Sequence, residues 1–219
     1  MFLDRKRSQS RLNDFTLLIL KSLTLVDHTM PQARTINERQ AKTMFAFLST
    51  KPNAIRNQAM FALSYYCGLR AKEIASLRVG DVRKADGSIR DVADLSAAQT
   101  KGNKGREFYI NKHAKQHIAA LIKSLPFAEP DHPLVQVMGK RKAFSANGIA
   151  IAMRNFYADA GFTGCSSHTG RRSAISQLAN KGVGIRIIQK FSGHRQLQSV
   201  QHYIDANEEM VKNAVELLA

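Results

Sequence analysis

From Ile36 onward the apolar positions of INERQAKTMFAFL fall at helical spacing. Ile36, Ala41, Met44, Phe45 and Leu48 return to one side every three or four residues, with polar side chains between them. NAIRNQAMFALSYYCG repeats the pattern until Gly68 ends it, so the spacing predicts two core helices, followed by a third short one at RAKEIASL. The period then changes. VRKADGSIRDVADLSAAQTKGNKGREFYI carries short extended runs around Asp86-Gly87 and around a Gly102 to Gly105 turn, which predicts a small antiparallel sheet. Helical spacing resumes at KHAKQHIAALIKSL, SANGIAIAMRNFYADAG, RRSAISQLAN, IRIIQKF and the C-terminal ANEEMVKNAVELL. The expected fold class is mainly α with a small antiparallel β-sheet, without internal repeats or low-complexity tracts.

The chain before Ile36 has a different character. Basic residues between Arg5 and Arg11 precede FTLLILKSLTLV, residues 15–26, an outline that mimics a signal peptide. Lys21 interrupts the run, Asp14 borders it, and a stretch this short does not span a bilayer, so it is expected to be a short amphipathic helix. Pro31 in the MPQART segment marks a linker. The expected organisation is therefore an N-terminal basic and apolar segment with its linker over 1–34, and one domain over 35–219. Met30 is an alternative translation start.

Charge narrows the partner. The 219 residues are 44% apolar, enough for a real core, and hold 33 Lys and Arg against 17 Asp and Glu, a net charge of +16. With a sequence pI near 10.2, the chain is expected to attract a polyanion. Nucleic acid is the first candidate; an anionic membrane is the second, without the strongly amphipathic basic helix that would favour it. Cys67 and Cys165 have no CxxC spacing and no matching His cluster, which fits reduced thiols in a cytoplasmic protein and neither a disulfide framework nor zinc.

The stretch SSHTGRRSAISQLANKG raises the question of a specific anion. Ser166 and Ser167 are candidate helix caps, His168 and Arg171 fall three apart on one helical face, and the helix start adds positive potential suited to a phosphate. Other basic positions also stand beside turns or helix starts: Arg70 in CGLRAKE, Lys101 in QTKGNKGRE and His194 in FSGHRQ, with Tyr203 nine residues after His194. Singly, each has a plain explanation. Arg70 and Glu73 form a helical i, i+3 pair, Lys101 is a solvated hairpin lysine, His194 a turn residue, and Tyr203 a core aromatic.

Taken in order, R…K…HxxR…GH…Y with GLRxxE at the first position, the chain resembles the catalytic domain of the tyrosine recombinases, the phage integrase family. The resemblance covers about residues 35–205 and rests on GLRAKEIASLRVGDV, TKGNKGREFYI and HTGRRSAISQLANKGVGIRIIQKFSGHRQLQSVQHYI. It implies the tyrosine recombinase catalytic-domain fold and a site-specific recombinase or integrase that cleaves and rejoins double-stranded DNA through a 3′-phosphotyrosine. Arg70 and Arg171 would clamp the scissile phosphate, Lys101 would protonate the leaving 5′ oxygen, His168 and His194 would position and neutralise, and Tyr203 would be the nucleophile. Glu73 would orient Arg70. Two planar guanidiniums can stabilise a pentavalent phosphate without a metal, and no Asp and Glu cluster at two-metal spacing stands in the sequence; no cofactor is implied.

The chain departs from the pattern in places. Most of the family carries a separate helical DNA-binding domain before the catalytic one; the short segment before the first core helix here is similar to the layout of the single-domain fimbrial phase-variation invertases. Thr169 and Gly170 replace the usual residues within HxxR, and Arg172 follows it, expected to point away as a packing or backbone contact. The resemblance further implies a homo-oligomer on DNA, a tetramer in the synaptic complex, with the C-terminal helix docking on its own or a neighbouring protomer. Accessory DNA-bending proteins are further candidate partners, and the expected location is the cytoplasm, at the nucleoid. The alternative readings are a type IB topoisomerase-like activity and a DNA-binding accessory or regulatory protein of the same fold.

Overall fold

The computed structural model describes residues 33–100, 103–137 and 140–203, with 212, 215, 216 and 218. The N-terminal segment before Ala33, Lys101 and nearly all of the expected C-terminal helix lie outside the described residues. Helix α1 spans Glu38–Ser49 and is capped by Asn37: its side chain accepts from the Gln40 backbone N–H while the Gln40 side chain accepts from the Asn37 backbone N–H, a reciprocal cap. Helix α2, Ala54–Tyr65, buries every residue from Ala59 to Tyr65. A helix apolar all round belongs in the middle of a fold, and α2 packs against the other helices on several sides.

Two short helices follow, α3 at Ala71–Ser76 and α4 at Val79–Val82. Strands β1, Val92–Leu95, and β2, Arg106–Tyr109, pair antiparallel with Val92 opposite Tyr109 and Leu95 opposite Arg106. Ala93, Leu95 and Phe108 face inward and Val92, Asp94 and Glu107 outward, the alternation of a sheet with one wet face. The sheet is smaller than the sequence pattern suggests. At Asp86-Gly87 the chain forms a turn closed by a single bridge between Arg83 and Ile89, because Asp86 turns its carboxylate back onto the Ser88 N–H and hydroxyl and so competes with ladder formation.

Helices α5, Lys112–Ser124, and α6, Ala146–Asp159, are capped by Asn111 and Ser145. They complete the main core with Met60, Leu63, Ile74, Phe108, Ile118 and Met153. Helices α7, Thr169–Asn180, α8, Ile185–Ser192, and α9, Gln198–Gln201, form a separate apolar cluster of Ile175, Ala179, Ile188 and Val200, on which Tyr203 packs. Among the described residues no helix is long and apolar enough to cross a membrane.

Candidate active site

Three chain segments converge: the end of α2 with α3, strand β2, and the run from α7 to Tyr203. Helix α7 begins differently from the sequence expectation. Its N-cap is His168, in helical conformation and without a side-chain cap bond. Ser166 and Thr169 instead shape the approach, the Thr169 hydroxyl accepting from the Ser166 N–H and the Ser166 hydroxyl from the His168 N–H. Gly170 then lets the helix lie against α2. A Cβ there would stand 2.6 Å from Ser64 Oγ and 3.2 Å from the Tyr65 nitrogen.

This close approach turns Arg171 inward. Its side chain is buried, and the guanidinium donates from Nη1 to the Gly68 carbonyl, from Nη2 to the Ser192 carbonyl at 2.6 Å, and from Nη2 to His194 Nε2 at 3.3 Å. Gly68 lies just past the end of α2 and Ser192 is the last residue of α8, so the cation sits where two helices end in carbonyl oxygens, the negative end of each helix. Among the described residues Arg171 forms no ion pair with a carboxylate. Burial, with the positive Arg70 next, lowers its guanidinium to about 9, which leaves it charged at neutral pH. Three of its N–H groups are bound in this way, and a guanidinium has five.

Arg70 is the N-cap of α3 and is held by Glu73. The fully buried Glu73 carboxylate accepts from the Arg70 backbone N–H at 2.8 Å and from Arg70 Nη1 at 3.0 Å. The same carboxylate accepts from Arg106 Nη2 at 2.8 Å and Nε at 3.3 Å. Burial raises the Glu73 carboxyl, but the bonds and charges of Arg106 and then Arg70 outweigh it and keep it below the ordinary value. One carboxylate thus serves two guanidiniums, and the site keeps a positive excess.

Arg106 joins this cluster through Glu73, and sequence reasoning did not single it out. It looks like a solvent-facing strand start in KGRE, and only the placing of β2 against α3 brings it to Glu73. It also lies against Gly193, where a Cβ would come within 2.4 Å of Arg106 Cδ. Arg172, expected to point away as a packing or backbone contact, packs its guanidinium over the Tyr203 ring, 4.9 Å from the centroid. The His194 ring is also stacked near Tyr203, 26° from parallel with centroids 6.2 Å apart. Burial lowers the His194 imidazole to about 4, with the positive Arg171, Arg70 and Arg106 adding to the effect.

Arg70, Glu73, Arg171, His194 and Tyr203 therefore stand together. His168 stands exposed at the start of α7, one turn before Arg171. Beside them opens a cleft of about 800 Å³ lined by Arg70, Lys104, Arg106, Arg186, Lys190, His194 and Arg195 together with Glu73. The Thr100 carbonyl, in the stretch after β1, accepts from Lys72 Nζ at 2.8 Å, tying that stretch to α3. Among the described residues no group of His, Cys, Asp or Glu is placed to hold a metal ion.

The model of the phage integrase family matches residues 34–210. The chain is 30% identical over 158 residues to tyrosine recombinase XerC of Lactobacillus leichmannii, covering 70% of this chain and 51% of that protein. It is 26% identical over 213 residues to tyrosine recombinase XerD of Rickettsia conorii, covering 92% and 68%. The chain thus spans about half the length of the XerC relatives it matches. In fold it is similar to the XerA recombinase, with a TM-score of 0.66 at 21% identity over 86% of this chain and 66% of that one. It is also similar to the Tn1549 transposon integrase solved in complex with a circular intermediate DNA, with a TM-score of 0.69 at 16% identity over 89% and 68%.

Proposed function

Because the chain belongs to the phage integrase family, we propose that it is a site-specific DNA recombinase or integrase that breaks and rejoins strands through a phosphotyrosine at Tyr203. The observation that carries this reading is Arg171, a buried cation held by two carbonyl oxygens and a histidine, next to a second arginine and a tyrosine. A site with this positive excess is complementary to an anion, and the unbound N–H groups of Arg171 suit the non-bridging oxygens of a phosphodiester.

The Tyr203 oxygen attacks phosphorus as its proton leaves. The P–O5′ bond breaks, and a 3′-phosphotyrosine and a free 5′ hydroxyl form. Arg70 and Arg171 stabilise the charge that develops on the equatorial oxygens, with Glu73 holding Arg70 in place. Lys101 gives the departing 5′ oxygen its proton, and His168 and His194 position the phosphate and the arginines. Attack by another 5′ hydroxyl reverses the chemistry and exchanges strands. The basic side chains lining the cleft, Lys104, Arg186, Lys190 and Arg195, support contact with neighbouring backbone phosphates of double-stranded DNA. The same reading has the reaction run in the cytoplasm, on a tetramer at synapsis.

The test is incubation with nicked suicide duplexes carrying candidate sites. A covalent protein–DNA band that Tyr203→Phe abolishes is the expected result; retarded DNA without such a band at any site leaves only a binding role.

A further inference from the structure

Ser192 is not among the residues that the recombinase reading uses, yet it touches two of them. Its carbonyl accepts from Arg171 Nη2, and its hydroxyl lies 2.8 Å from His194 Nδ1. The serine is fully buried at the end of α8, and Gly193, with φ of +64°, reverses the chain so that the ring of His194 folds back over it.

The hydrogen-bond roles in this cluster follow from one fact: a guanidinium has donors and no acceptor. Arg171 Nη2 stands 3.3 Å from His194 Nε2, so Nε2 must be the bare, accepting nitrogen. In a neutral imidazole the proton is then on Nδ1 and is donated to Ser192 Oγ. The Ser192 hydroxyl in turn has an acceptor for its own proton, the Gln189 carbonyl at 3.3 Å. Every bond runs in one direction, from Arg171 through His194 and Ser192 to Gln189. Burial and the positive Arg171, Arg70 and Arg106, opposed by Glu73, favour the neutral ring that this order requires.

We propose that Ser192 is a positioning residue that holds His194 as its Nδ1–H tautomer in the DNA-free site, so that Nε2 orients the Arg171 guanidinium there. The tautomer stands on the geometry alone; its consequence for cleavage rests on the strand-transfer reading above. With this order the resting His194 has its single N–H turned toward Ser192, and the donors left for a phosphate belong to the arginines. Without a hydroxyl at position 192, Nδ1 loses its partner, the two tautomers mix, and the Nε2–H form puts an N–H against the N–H of Arg171.

Two-bond ¹H–¹⁵N correlation of the full chain labelled with ¹⁵N-histidine at pH 7 reads the tautomer directly, with His194→Asn identifying the His194 signals. The expected pattern is a neutral ring with Nδ1 protonated and Nε2 bare. In Ser192→Ala this pattern gives way to mixed or Nε2–H signals. Covalent-complex formation on nicked DNA then falls about five- to ten-fold, the scale of one lost hydrogen bond, while duplex affinity, set by diffuse phosphate contacts, changes less than about two-fold. Ser192→Thr, which keeps a hydroxyl, restores the pattern and the rate. An Nε2–H or charged His194 ring in the unsubstituted protein, or an unchanged pattern in Ser192→Ala, overturns the proposal. If the unsubstituted protein shows the Nδ1–H ring and yet forms no covalent complex at any site, the strand-transfer reading fails and the Ser192 relay stands.

Discussion

Replacing Glu73 by Gln tests how the site holds its charges. The carboxylate is fully buried and accepts four hydrogen bonds, two from Arg70 and two from Arg106. A Gln of the same shape can accept at one position but presents an NH₂ group to the other guanidinium. Removing one partner of a buried ion pair costs about 3–5 kcal/mol. Here the Arg70 and Arg106 side chains keep 24% and 12% exposure and can turn their charge toward water. The loss should therefore lie lower, about 2–3 kcal/mol, with a fall in Tm of about 4–12 °C. The sign with pH is fixed by the lowered Glu73 carboxyl: its stabilisation is complete above the unfolded value of about 4.3 and is lost as pH falls through the folded value. Urea denaturation at pH 7 and near pH 3 checks both points. The gap between the two proteins should be wide at pH 7 and should shrink in acid, as Glu73 takes up its proton. A gap under about 0.5 kcal/mol at pH 7, or one that persists in acid, refutes the reasoning.

Gly193→Ala places a side chain at φ of +64° and within 2.4 Å of Arg106 Cδ, so it should cost about 1–3 kcal/mol and loosen the grip of Arg106 on Glu73. Gly87→Ala, at φ of +84° with open space around it, should cost only the backbone part, about 1 kcal/mol, and equal losses in urea denaturation would remove the role given to Arg106. Tyr203 lies beside Arg172 and His194 of its own chain, so mixing Tyr203→Phe with Arg171→Ala protein should restore no covalent complex. Restored cleavage in that mixture would mean that the tyrosine reaches a neighbouring protomer's phosphate.

The helices were legible because their information is local. Ile36 to Leu48 repeat at the helical period and Asn37 with Gln40 caps the start, and both are visible within a dozen residues. The grouping of Arg70, Arg171, His194 and Tyr203 was legible as an ordered set of letters, not as geometry. The spacing puts Arg171 on one helical face with His168, and it points inward because Gly170 admits α7 against Ser64, a contact between residues far apart in the chain. Arg106 and Ser192 could not be read at all, since each matters only through a partner that folding supplies. What the sequence hides most completely is the backbone. The buried charge of Arg171 is tolerated because the carbonyls of Gly68 and Ser192 point at it, and each stands at a left-handed glycine, Gly68 itself and Gly193, where a helix has just ended. The glycines of GLR and SGH therefore bend the chain so that two helix ends close on one guanidinium, and their backbone carbonyls hold the cation in place.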